Sequence, residues 1–230
     1  AGVSLWNRMR IGGMETLTYR LFIKLTNKLP ISLFRRQVLI TNENELLIET
    51  AAHLALNGVR IREINPIKKD YAPIDKNKLL CIKKSIKTLV NIRIKNWVDP
   101  NLVKLCESLL FQEVEEKLNS FMRFRSQWEF IAKEPKQLKR VLLINSPVNT
   151  KGLAIASVCR KSGIPIVSFQ HGVTYEICAT HGEMSVNCEI NASDLFVAYN
   201  CQSEKKYQTS HFIYGDSFVA GISARHLRMN

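Results

Sequence analysis

Val141-Leu142-Leu143-Ile144-Asn145, Ile164-Pro165-Ile166-Val167-Ser168-Phe169 and Asp194-Leu195-Phe196-Val197-Ala198-Tyr199 are the three runs that decide the fold. Each is short, apolar and rich in β-branched or aromatic residues, the pattern of a strand buried on both faces. Between the first two, Lys151 to Lys161 carries Leu153, Ile155, Ala156 and Cys159 at helical spacing, and Ser162-Gly163 stops it. Pro165 stands near the start of its strand, where a missing N–H is tolerated. Strand, short helix, strand predicts a βαβ unit with a right-handed crossover, and therefore a mostly parallel sheet.

Ligands of open α/β sheets sit beyond the carboxyl ends of the strands. Gln170-His171-Gly172 stands at one such end. Histidine titrates near neutral pH and can take a proton from an acceptor hydroxyl, and glycine after it lets the backbone turn and a ligand come close. The segment from Val173 to Asn191 adds Tyr175, Glu176, His181 and Glu183. It is long for a βα connection, and long connections are often functional. Glu176 or Glu183 is expected to orient the imidazole and stabilise its protonated form. A histidine that merely satisfies a strand-end carbonyl is the plainer alternative.

Working outward, Arg36-Gln37-Val38-Leu39-Ile40-Thr41 predicts a strand. Asn44 to Asn57 predicts a helix burying Leu47, Ile48, Ala51, Ala52, Leu54 and Ala55, with His53 expected on its inward half as a packing residue. Val59 to Ile64 alternates like an exposed-edge strand, completing a second βαβ unit. Before it, Met14 to Leu29 reads as a basic amphipathic helix, suited to packing on the domain or to lying on a bilayer. Lys76 to Trp97 and Asp99 to Ile131 predict two helices joined at Asp99-Pro100, a cap followed by a first-turn proline. The aromatic stripe of the second helix, from Phe111 to Phe130, is expected to be core. Gln202 to Thr209 predicts a short helix. Phe218 to Gly221 predicts a last strand, with Arg225 and His226 at its tip.

Of the net charge of +13, residues 141–230 hold only +1, seven Lys or Arg against six Asp or Glu. Between Pro66 and Trp97 stand nine basic residues against Asp70 and Asp75. That run is either a solvated helical face or an attractor for an anionic surface or ligand. The six cysteines form no close pair, which fits a reducing compartment better than a disulfide framework, and Cys159 is expected to be a buried free thiol. No apolar run approaches the roughly 18 to 20 residues of a membrane span.

Several chemistries are excluded by motif. The turn Thr41-Asn42-Glu43-Asn44 contains no glycine, so a dinucleotide pyrophosphate has no backbone cradle there. No nucleophile elbow or Walker loop is present. Cys178, His181, Cys188 and Cys201 match no zinc-ligand spacing. Neither a metal nor a cofactor is called for.

The runs Gly163 to Gly172, Ala192 to Ala198 and Phe218 to Gly221 resemble bacterial surface-polysaccharide glycosyltransferases of the two-Rossmann GT-B type. The likeness is greatest to the capsule and lipopolysaccharide group that includes surface carbohydrate biosynthesis proteins and Kdo-type transferases, and the related CDP-glycerol glycerophosphotransferases have a similar His-Gly at the end of a strand in their first domain. Asn42-Glu43-Asn44-Glu45-Leu46 with its Ala-rich helix is similar to the start of their first domain. The resemblance covers about residues 36–65 and 141–225. It implies an α/β, Rossmann-like three-layer domain over 36–230, half of a GT-B fold. An amphipathic segment (1–35) would precede it, and a helical insertion would span about 76–139.

The resemblance also implies transfer from a nucleotide-activated sugar or glycerol donor to a glycan or lipid-linked acceptor, at the inner face of the cytoplasmic membrane. By the resemblance His171 would be the catalytic base; Glu176, from the reading of the segment itself, is the second catalytic candidate. Gln170, Gly172, Tyr175, His181, Glu183, Arg225 and His226 are the expected substrate contacts. The donor half would come from a second Rossmann domain or a partner chain, since only nine residues follow Gly221. Nucleic acid is not the expected partner. A non-catalytic binding module and part of a sugar-nucleotide epimerase are the alternatives.

Overall fold

The computed structural model describes residues 28–41, 45–133, 138–145, 149–170, 192–201 and 215–221, with positions 18, 21, 24–26, 147, 204 and 205. The described elements are, in chain order, β1 (Arg36–Ile40), α1 (Glu45–Leu56), β2 (Arg60–Glu63), α2 (Lys76–Arg93), α3 (Pro100–Trp128) and α4 (Phe130–Lys133). β3 (Lys139–Asn145), α5 (Thr150–Lys161), β4 (Ile166–Phe169), β5 (Leu195–Ala198) and β6 (Asp216–Val219) follow. The six strands form one sheet in the order β2-β1-β3-β4-β5-β6, and every pairing is parallel. The expected α/β, Rossmann-like three-layer domain is therefore present.

Alternation along the strands sends side chains into two separate cores. Val38, Ile40, Leu143, Phe169 and Val197 meet Leu46, Leu47, Ala51 and Ala55 of α1 on one face. Leu39, Leu142, Ile144 and Ile166 meet Ile155, Ala156 and Cys159 of α5 on the other, together with Trp128 and Ile131. Gly58 and Gly163, each just past a helix end, take positive φ of 75° and 66°, the left-handed conformation that lets the chain reverse into the next strand.

The helical region between β2 and β3 is only partly an insertion. Trp128 and Ile131 are buried in the α5-side core, so the end of α3 and α4 are the crossover that covers the sheet. The rest of α3 pairs with α2. Asn91 Nδ2 donates to Glu107 Oε1 over 3.2 Å, and Lys83 Nζ stands 5.1 Å from the Phe111 ring centre. Asp75 and Asp99 cap the two helices, their carboxylates accepting backbone N–H bonds from Asn77 and Lys78 and from Asn101.

Three expectations are corrected. His53 is exposed, not packed inward. It lies two residues from both Ala51 and Ala55, roughly 200° round the helix from each, so when those alanines meet the sheet it faces away. The aromatic stripe of α3 is not core, because α3 packs mainly on the helices α2 and α5: Phe111, Phe121 and Phe124 are half-buried, and of the helix's side chains only Val103 and Trp128 are buried. β2 is an edge strand, yet Arg60 and Ile61 are both buried. Its outer side is covered in part by the N-terminal segment, where buried Thr26 donates from Oγ1 to Ile61 O over 3.3 Å. Elsewhere in that segment Leu21, Leu25 and Leu29 remain about half exposed.

Cys159 is buried and free, as its position on the apolar helix face predicts. Burial pushes its thiol from 9.0 up to about 12, opposed by the nearby Arg140 charge. A thiol held protonated by the fold contributes stability that is complete below pH 9.0 and lost as pH climbs towards about 12. With a thiol-reactive chromophore at pH 8, exposed Cys81 and Cys201 should react at once and Cys159 only on unfolding. In the same urea series Leu142→Ala should cost about 2–5 kcal/mol and exposed Leu33→Ala under about 0.5 kcal/mol. Equal midpoints for the two would contradict the assignment of the core.

Candidate functional site

The strand order reverses once. The chain steps from β1 outward to β2, then crosses back to β3 and proceeds through β4, β5 and β6. The crevice beyond the carboxyl ends of β1 and β3 is thus the switch point, where helices diverge to opposite faces and open sheets accept ligands. Here α1 leaves towards one core and α5 towards the other.

Thr41, directly after β1, carries a buried hydroxyl with no hydrogen-bond partner among the described residues. After β3, Asn149 caps α5 by accepting the Gly152 N–H at 2.8 Å, and the first turn contains Lys151 and no acidic residue. The helix dipole and that lysine favour negative charge at this end. Gly152 is required by space: a Cβ there would lie 2.8 Å from Pro147 Cα. Sequence reading placed Thr41 only at the end of a strand and in a glycine-free turn, because strand order is not visible in a linear pattern.

One strand further along, β4 is fastened to β5 at three levels along its length. Ile166 N–H donates to Asp194 Oδ2 at 2.7 Å, and the Ser168 hydroxyl donates to the Ser193 hydroxyl at 2.7 Å. Gln170 is fully buried; its N–H donates to Val197 O at 3.0 Å and its Oε1 accepts the Tyr199 N–H at 2.9 Å. Of the expected substrate contacts, Gln170 is therefore a strut that prolongs the ladder between β4 and β5. His171, Gly172, Tyr175, Glu176, His181, Glu183, Arg225 and His226 lie outside the described residues.

The length of the segment after Gln170 takes on a different meaning. β4 and β5 pair in parallel, so their connection must return the chain to the opposite edge of the sheet, which takes a dozen or more residues. Length alone is thus explained by topology.

Past β2 the chain runs along α3, with Ile67 N–H donating to Gln127 O at 3.3 Å. A cavity of about 610 Å³ opens there, lined by Lys68, Lys69, Asp70, Tyr71, Arg123 and Gln127. Three cations against one carboxylate make it suited to an anionic group. Lys69 Nζ also lies 3.0 Å from Glu129 Oε2, and that hydrogen bond holds the Glu129 carboxyl below its usual range. Among the described residues no three His, Cys, Asp or Glu side chains converge to hold a metal ion, and exposed Cys201 is free.

The chain matches no protein-family model, no curated protein and no solved structure.

Gly152→Ala tests the switch-point packing. Alanine is the better helix former by about 1 kcal/mol, yet its Cβ meets backbone that cannot swing aside. A net destabilisation of about 1–3 kcal/mol is expected from the urea midpoint. A neutral or stabilising outcome would show that α5 and Pro147 are not tightly apposed.

Proposed function

We propose that this chain is the acceptor-side domain of a glycosyl- or glycerophosphoryltransferase acting in bacterial surface-glycan assembly at the inner face of the cytoplasmic membrane. The reading rests on the resemblance carried by Gly163 to Gly172, Ala192 to Ala198 and Phe218 to Gly221. The observation that supports it is the anchoring of Gln170, immediately before His171, at the carboxyl edge one strand from the switch point. In this scheme His171 takes the proton of an acceptor hydroxyl as that oxygen bonds to the anomeric carbon of a sugar donor or the phosphorus of a glycerol donor. The bond to the nucleotide leaving group breaks, and the nucleotide departs with the electron pair. Glu176 stabilises the imidazolium, and the proton later passes to water. A second Rossmann domain, in the same chain or a partner, supplies the nucleotide site.

Turnover of the full-length protein with cytidine and uridine nucleotide-sugars, in the presence of acceptor, tests this. His171→Ala and His171→Gln should lower the rate ~10²–10⁴-fold, the span of a lost general base, with the urea midpoint unchanged. Glu176→Gln should cost less and move the acidic limb of the kcat/KM profile to lower pH, since the imidazolium loses its partner. A folded His171→Ala protein with near-normal turnover would remove the catalytic assignment.

A further inference from the structure

The pairing of α2 with α3 leaves an apolar, cationic tip that the domain does not use. Asn91 faces Glu107, Lys83 faces Phe111 and Ile74 N–H reaches Asn119 Oδ1 at 3.5 Å, an antiparallel register whose apex falls near residues 97 and 98. At about 1.5 Å per residue, Leu102 lies some 39 Å along α3 from Trp128, where that helix enters the core. Around the apex Trp97 is 85% exposed and Ile92 72%, and Leu89, Leu102, Leu105 and Leu109 are each more than half exposed. The cluster far exceeds the scattered apolar residues of an ordinary surface.

Its charge is as uneven as its hydropathy. From Lys76 to Val98 there are seven Lys or Arg and no Asp or Glu. The nearest carboxylates are engaged within the hairpin: Asp99 accepts the Asn101 N–H at 2.8 Å, and Glu107 accepts from Asn91. No helix among the described residues is long and apolar enough to cross a membrane.

We propose that the α2–α3 tip is a docking surface for an anionic lipid bilayer. Trp97, Ile92 and the leucines enter the headgroup boundary, while Lys87, Arg93, Lys95 and Lys104 reach acidic headgroups. Long lysine side chains can follow an apolar patch and keep the ammonium at the interface, so the two features reinforce each other. A second copy of the same tip is disfavoured by like charge, and a nucleic-acid phosphate ladder would leave the leucines without a partner. The inference rests on this surface alone and is independent of the transfer chemistry.

Co-sedimentation of the intact protein with vesicles of phosphatidylcholine alone, or with about one quarter phosphatidylglycerol, tests it. Binding is expected to the acidic vesicles, weakened by salt, and to be slight on neutral ones. Lys87→Gln with Lys95→Gln should lower partitioning by more than about tenfold. Ile92→Ser with Trp97→Ala should do likewise, with melting temperatures unchanged because the four side chains are exposed. Three results would overturn the proposal: no vesicle binding, binding unchanged in both variants, or a dimer in light scattering that the Ile92→Ser/Trp97→Ala pair abolishes. Salt-steep capture of duplex DNA by the same tip, without vesicle binding, would overturn it as well. Because turnover is not the readout, its failure is separable from that of the transferase reading.

Discussion

Burial of β1, β3 and β4 on both faces is the constraint from which the rest of the architecture follows. Leu39, Leu142 and Ile166 point one way and are fully buried, while Ile40, Leu143 and Phe169 point the other way and are no less enclosed. Parallel strands leave neither face for water, so helices must cover both. One connection must then run across the sheet in the direction opposite to the others, and the β1–β3 boundary becomes a crevice. Thr41 and Asn145 stand at the carboxyl ends of β1 and β3, on either side of that boundary.

Polar side chains fasten β4 to β5 at both ends of the pair. Asp194, Ser193 and Gln170 each make a bond across the β4–β5 boundary, and Ser193 and Gln170 are fully buried. A buried amide or hydroxyl without a partner is costly, so these positions are intolerant of apolar replacement. Gly215 adds to the same lock, since a Cβ there would fall 2.5 Å from Ser193 O. Both ends of the segment after Gln170 are thereby held, one at the carboxyl edge and one at the start of β5.

The charge asymmetry along the chain maps onto architecture. Of the twelve surplus positive charges of the first 140 residues, seven fall between Pro66 and Val98, on α2 and its flanks and beside the cleft of Lys68, Lys69 and Arg123, away from the central strands. Arg140 is a different kind of cation, buried and donating from Nη1 to Ile131 O at 2.9 Å, where it ties α4 to β3. Surface and interior cations in this chain therefore serve separate ends, attraction outside and geometry inside.

The sequence by itself determined the strands β1, β3, β4 and β5, the helices α1 and α5, the cap at Asp99, and the parallel sheet. These are local matters, because a doubly buried strand must be continuously apolar and a helix end must satisfy its own N–H groups. It also made Gln170-His171-Gly172 legible as a strand-end polar cluster. Tertiary structure alone decided the strand order, and with it the switch point at Thr41. It turned His53 outward, buried Arg60 on an edge strand, left most of the α3 aromatics half-covered and made Gln170 a strut. In each case the outcome depends on which element packs alongside, and neighbours distant in the chain leave no imprint on local periodicity.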